Sequence, residues 1–191
     1  MQVVSIKGSP RTNGNSSALA DNFTAMARNK GAEIKDYNLN ELNFRGCQAC
    51  FYCKTGQEVC AVEDELTPVL DAVREADLLV LATPVYFAEI SAQTKSFVDR
   101  TFSFLIPEFL TAQQPGRLEP GKKFLFIQTQ GNPDQNQFKD IYPKYSTIFK
   151  WHGFEQTELL RACGFNNPGE AARDPEINKQ MEEMAQKLLD F

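Results

Sequence analysis

Four of the five cysteines in this 191-residue chain fall in one short segment, CQACFYCKTGQEVC, as Cys47, Cys50, Cys53 and Cys60. Three thiols at i, i+3 and i+6 can wrap one compact centre, and a turn at Gly56 returns the fourth. Iron–sulfur clusters use four thiolates at related spacings. Zinc also accepts four thiolates, but its sites usually separate two short knuckles by a longer loop. A disulfide and unligated thiols are the other readings of the same spacing. The fifth cysteine, Cys163, stands apart and reads as a small hydrophobe in or beside a strand.

A second segment able to do chemistry is GSPRTNGNSS, residues 8–17, between a β-branched run and a helical pattern. Its glycines permit tight turns, and Ser9, Asn13, Asn15, Ser16 and Ser17 bring hydroxyls and amides to a helix N-terminus. Free backbone N–H groups and the positive end of the helix dipole favour a phosphate there. Arg11 adds a charge-assisted contact. The pattern is neither GxxxxGK[ST] nor GxGxxG. An ordinary capped turn is the plainer alternative, since Ser and Asn also cap helices.

Composition narrows the partners. The chain carries 25 acidic against 20 basic residues, a formal charge of −5, which disfavours binding to a nucleic-acid backbone. No apolar run approaches the ~20 residues of a membrane span, and MQVVSIKGSPR lacks the apolar core of a secretory signal. The expectation is a cytoplasmic protein, not at a membrane, in a reducing compartment where clustered cysteines bind metals or do redox work.

The elements that must position these segments alternate. Strand-like runs cover residues 2–7, 32–39, 77–83, 123–129 and 154–163; helical spacing covers 16–29, 64–76, 91–105, 138–151 and 175–189. The continuous apolar runs DLLVLAT and KFLFIQT suit parallel strands covered on both faces. Alternating strands and helices predict one parallel sheet and a single α/β domain over residues 1–191. Lys95 and Asp99 stand one helical turn apart as a surface pair, and His152, next to Trp151, reads as a helix-end residue.

SIKGSPRTNGNSSAL resembles the phosphate loop of the NADPH-dependent FMN reductase family, a flavodoxin-like group. ATPVYFAEISAQTKSFVDRT resembles that family's strand-end loop, and TQG after KFLFIQ resembles the loop bordering its flavin ring. Lys95, Asp99 and Arg100 also match the family and are read as structural. The resemblance implies a flavodoxin-like three-layer sandwich with five parallel strands in the order 2-1-3-4-5. It implies FMN held by Ser9, Arg11, Asn13, Asn15, Ser16 and Ser17 at the phosphate, and by Pro84, Val85, Tyr86 and Phe87 along the ring and ribityl chain. Thr129, Gln130 and Gly131 would border the ring. In a sheet of this order, ligands sit beyond the carboxyl ends of the strands at the switch point, where these three segments would converge.

The cysteine segment resembles the compact motif of iron–sulfur flavoproteins, a branch of the same family, which implies a 4Fe-4S cluster on Cys47, Cys50, Cys53 and Cys60. The expected function is an FMN-dependent oxidoreductase taking electrons from NAD(P)H or a ferredoxin-like donor, with no catalytic side chain. The alternatives are an electron carrier with no substrate of its own and a quinone-sensing protein that borrows the fold. The family's habit of building flavin sites at subunit contacts implies a homodimer or homotetramer, for which Phe102–Phe109 offers apolar surface.

Overall fold

In β1 (Gln2–Lys7) successive side chains point to opposite faces, and both faces are apolar. Val3 packs on one side of the sheet, while Val4 and Ile6 pack on the other. The same division repeats in β3 (Leu78–Tyr86) and β5 (Lys122–Gln130), so the middle of the sheet is covered on both sides. The computed structural model describes residues 1–189; the last two residues of the expected single domain lie outside the described residues.

Two further strands, β2 (Glu33–Asn38) and β6 (Phe154–Cys163), complete a parallel sheet of order β2-β1-β3-β5-β6. That is the order expected for five strands. A sixth, β4 (Glu89–Ile90), was not expected: after Tyr86 the chain doubles back and pairs antiparallel with β3. One helical layer is α1 (Asn15–Asn29) and α5 (Pro175–Leu188), with Phe23, Ala27, Met181 and Leu188 facing the sheet. The other is α2 (Thr67–Glu75), α3 (Ala92–Arg100) and α4 (Ile141–Trp151), which bury Val73, Phe97 and Phe149.

Helices α3 and α4 are shorter than their apolar spacing predicts. The pattern over residues 91–105 stops being α-helical at Arg100 and tightens into a 3₁₀ turn, Thr101–Phe104. There Leu105 bridges Gly116 and the Ile106 N–H donates to the Pro115 carbonyl at 2.9 Å, which requires extended chain. At α4, Phe138 has φ 61°, and the helix begins only at Ile141. Pro143 then falls in the first turn, where a missing N–H costs no hydrogen bond. Phe104 and Leu105, part of the apolar stretch expected at a subunit contact, are buried inside the chain, leaving Leu110 exposed beyond it. Among the described residues, no helix is long and apolar enough to cross a membrane.

Candidate functional site

The sheet register decides where the loops leave. Lys7 lies opposite Ala82, Pro84 opposite Thr129, and Thr129 opposite Ala162, so β1, β3, β5 and β6 release their loops side by side. A cleft of about 220 Å³ lies between them. Ser9, Arg11 and Asn15 line it from the first loop, Pro84, Val85 and Tyr86 from the second, and Thr129, Gln130 and Gly131 from the third. Gly14, Phe165 and Asn166 also line it and were not singled out in the sequence. The last two follow β6, and their signal was only that the neighbouring strand must end at the same edge. Asn13, Ser16, Ser17 and Phe87 do not line the cleft.

The first loop is built closely around its glycines. A Cβ on Gly14 would collide with the Ser9 hydroxyl, whose oxygen accepts the Arg11 N–H at 3.2 Å. Gly14 caps α1 without a side chain, and the first turn of α1 holds no acidic residue to occupy its amides. Asn15 is engaged on both sides: Nδ2 donates to the Phe165 carbonyl at 3.2 Å, and Oδ1 accepts the Ala171 N–H at 3.0 Å. It therefore pins the loop after β6 and has only its backbone left for a ligand. Ser16 is fully buried, and its Oγ has no hydrogen-bond partner among the described residues. Arg11 is exposed and reaches the Asn166 carbonyl at 3.4 Å, while Asn13 is exposed with φ 54°.

Beneath the cleft lies a buried hydroxyl network that sequence reasoning missed. Ser91, the N-cap of α3, donates to the Gly8 carbonyl at 2.6 Å, and its N–H donates to Thr83 Oγ1 at 3.1 Å. Thr94 Oγ1 donates to Thr83 Oγ1 at 3.2 Å, and Thr83 in turn reaches the Pro84 carbonyl at 3.0 Å. A Cβ on Gly8 would strike Thr94 Oγ1. The network fastens the ends of β1 and β3 to the start of α3; its only local signal was the capping serine.

At the rim, Phe87 and Ala88 form the two-residue turn between β3 and β4, with φ of 45° and 69°. Both values are positive, the requirement of a type I′ hairpin, which Asn-Gly normally meets. A non-glycine residue in this region costs roughly 1–2 kcal/mol. The turn leaves Phe87 fully exposed and Tyr86 40% exposed. The Gln130 amide is engaged within the chain: its Nε2 donates to the carbonyls of Asn132 and Asp134 at 3.0 and 3.1 Å, which shapes the following loop.

The cysteine segment is a second site. It is irregular apart from one 3₁₀ turn, Tyr52–Lys54. Cys47 and Cys50 are exposed, Cys53 is buried, Cys60 is half-buried, and all are free thiols. All four line one cavity of about 110 Å³. Among the described residues, no three His, Cys, Asp or Glu are placed to hold one metal ion. The cavity is also lined by Arg100 and Phe102, at the far end of α3 from Ser91. A nine-residue helix is about 13 Å long. Within one chain the two sites thus stand a helix length apart.

An apolar cleft of about 380 Å³ adjoins the segment, sharing Cys47, Ala49 and Phe102 and floored by His152. His152 does end α4 and is fully buried, with Nε2 at 3.0 Å from Thr101 Oγ1. Thr101 already donates to the Val98 carbonyl at 2.7 Å, so Nε2 carries the imidazole proton. Burial, helped by the Lys54 charge, pushes the His152 pKa down to about 3, so the ring is neutral. Lys95 and Asp99 form the expected exposed ion pair.

The sequence model of the flavodoxin-like fold matches residues 1–188. The chain belongs to the flavodoxin-like fold family. An "Iron-sulfur flavoprotein" from Archaeoglobus fulgidus is 33% identical over 104 residues, covering 54% of this chain and 47% of that protein. An "FMN-dependent NADH:quinone oxidoreductase" from Shewanella loihica is 30% identical over 125 residues, 65% of this chain and 59% of that one. The chain thus spans about half the length of the curated relatives it matches. Among solved structures, an FMN-dependent NADH-azoreductase from Bacillus anthracis in complex with FMN superposes with a TM-score of 0.72, at 18% identity over all of both chains. These relatives agree with the family resemblance carried by the three loops of this flavodoxin-like chain.

Proposed function

We propose that this chain is a single FMN-binding domain acting as an oxidoreductase that accepts electrons from NAD(P)H or a ferredoxin-like donor. The observation that carries the reading is the cleft at the strand ends, where the loops that resemble FMN-binding segments meet. Bound FMN supplies hydride and single-electron chemistry that no side chain here provides. The buried, unpartnered Ser16 hydroxyl and the free amides of the first turn of α1 suit the phosphate, with Ser9, Arg11, Asn13 and Ser17 around them. Pro84, Val85 and Tyr86 offer rigid apolar surface to the ring and ribityl chain, with Phe87 exposed at the rim beside them, and Thr129, Gln130 and Gly131 border it. Two relatives' names, both FMN-dependent and NADH-linked, support the cofactor and the donor.

We further propose that Cys47, Cys50, Cys53 and Cys60 hold a 4Fe-4S cluster. Tetrahedral zinc needs every sulfur about 2.3 Å from one point, whereas a cluster takes each thiolate on a different iron. Four thiols lining one cavity suit a centre that takes one thiolate per iron. Such a cluster supplies single-electron transfer. The name of the Archaeoglobus relative supports the same assignment. Five free thiols suit a reducing, cytoplasmic setting. Flavin sites shared between two or four copies remain part of this reading.

The cysteine cavity also favours a second reading, an electron carrier without a small-molecule substrate. The deciding experiment is an anaerobic absorption spectrum followed by steady-state NAD(P)H oxidation. A flavin band with broad iron–sulfur absorbance and turnover is expected. A flavin band without turnover would favour the carrier, and purified protein that neither contains nor takes up FMN would defeat both.

A further inference from the structure

Arg100, read from the sequence as structural, is among the most deeply buried side chains of the molecule, with a fully inaccessible guanidinium. Nη1 donates to the Arg45 carbonyl at 2.8 Å and to Asp64 Oδ2 at 2.8 Å, and Nη2 donates to the Val62 carbonyl at 2.7 Å. Arg45 lies two residues before Cys47 and Val62 two residues after Cys60. One rigid fork on α3 therefore holds both ends of an otherwise irregular segment. Asp64 closes the arrangement by accepting the Arg45 N–H at 3.0 Å and the Leu66 N–H at 3.0 Å. Arg100 also lines the cavity that the thiols share, and its Nε has no partner among the described residues.

We propose that Arg100 is a positioning residue for the four-cysteine site, its guanidinium clasping the chain on both sides of the segment so that the thiols face one cavity. The inference rests on the reading that those thiols hold one cluster. Its geometry, however, is a property of the chain without iron. Cys53 is the reporter of the clasp, because it is the one buried thiol of the four. From the other side Arg117 holds the Cys53 carbonyl at 3.1 Å, and Lys54 donates to the carbonyls of Phe102 and Leu105 at 2.6 and 2.7 Å. The cations would also offset the negative charge of a thiolate-bound cluster, whose potential follows net charge and hydrogen bonding.

The test has two arms. In iron-free protein, iodoacetamide alkylation followed by mass spectrometry should find Cys53 modified much more slowly than Cys47 and Cys50. Arg100→Lys keeps the charge but lacks the fork, so Cys53 alkylation should rise roughly ten- to a hundredfold, as for a lost hydrogen bond to a charged group. Far-UV circular dichroism and the Cys163 rate should stay unchanged. Cys53 protection equal to wild type in this variant overturns the clasp. If Arg100→Lys does not fold, Arg100→Gln replaces it: faster Cys53 alkylation supports the clasp, and an unchanged rate overturns it. In the second arm, reconstitution with iron and sulfide should load wild type, while Arg100→Lys loses most of the metal. The cluster in Asp64→Asn should show a higher midpoint potential than wild type, because a negative charge is gone while Arg100 stays. Full loading with an unchanged potential would overturn the positioning role. Wild type that takes up no iron overturns the cluster reading alone, and the alkylation arm still judges the clasp.

Discussion

The two candidate sites are built in opposite ways. The cleft at the strand ends is placed by backbone: parallel register sets the loops side by side, and short hydroxyl bonds through Thr83, Ser91 and Thr94 fasten them. The cysteine segment has almost no regular structure and is held by long side chains reaching across 36 to 64 residues, from Arg100, Lys54 and Arg117. A site made by register shares the stability of the sheet. A site made by a few side-chain bonds can open locally while the sheet stays intact.

The strongest way to break this contrast is Asp64→Ala. It leaves the Arg100 guanidinium buried without its carboxylate, and breaking a buried pair in this way costs about 3–5 kcal/mol. Urea unfolding should show a loss of that size, with hydrogen exchange faster over residues 45–62 than at the strand-end loops. A loss under about 1 kcal/mol, within the range of a surface pair, would mean that the two carbonyls alone satisfy Arg100. The same carboxylate answers to acid. Burial alone would raise the Asp64 pKa, but Arg100 and the amides of Arg45 and Leu66 outweigh it and hold the carboxyl below its usual range.

The cleft is tested by Ser16→Ala. Removing a buried hydroxyl without a partner should leave the apoprotein as stable as before or slightly more so. FMN affinity should fall about ten- to a hundredfold, the cost of a lost bond to a charged group. Equal affinity by fluorescence titration would place the phosphate elsewhere.

His152 sharpens the comparison through pH. Its folded pKa of about 3 lies below the ordinary 6.5, so its contribution is complete above pH 6.5 and is lost as pH falls toward 3. Stability should decline by up to roughly 1.4 kcal/mol per pH unit in that window, beginning on the cysteine side, where His152 floors the apolar cleft. His152→Gln should flatten that slope in unfolding curves taken between pH 7 and 5. The smallest effect is expected at the rim, where Ala88→Gly relieves a left-handed backbone and should raise stability by about 1 kcal/mol. No gain in thermal unfolding would mean that the turn relaxes by itself.

Much of the fold was legible because both faces of the central strands are apolar and the helices carry one apolar stripe each. One parallel sheet followed from the alternating elements, its strand order from the family resemblance, and three loops at strand ends pointed to one cleft. What escaped notice was local and contextual. Asn15 looked like a phosphate donor, yet its side chain is taken up by Phe165 and Ala171, some 150 residues away. Phe165 and Asn166 carry no motif and reach the cleft only because β6 pairs beside β5. Residues 87 and 88 gave no hint of a type I′ turn, since Phe-Ala is not a sequence that favours one.

By itself, the sequence determined the periodicities that choose strand or helix, the types of group available for chemistry and the order in which they appear along the chain. Those follow from local rules: side-chain alternation, helical spacing, and the conformational freedom of glycine. Only the tertiary structure decided that the cysteine segment lies along α3 toward Arg100 instead of folding over the strand ends. It alone gave an arginine read only as structural its place against both ends of that segment. The reason is that a segment without regular hydrogen bonding takes its place from whichever distant donors can satisfy its carbonyls, and one-dimensional spacing does not encode which donors those are.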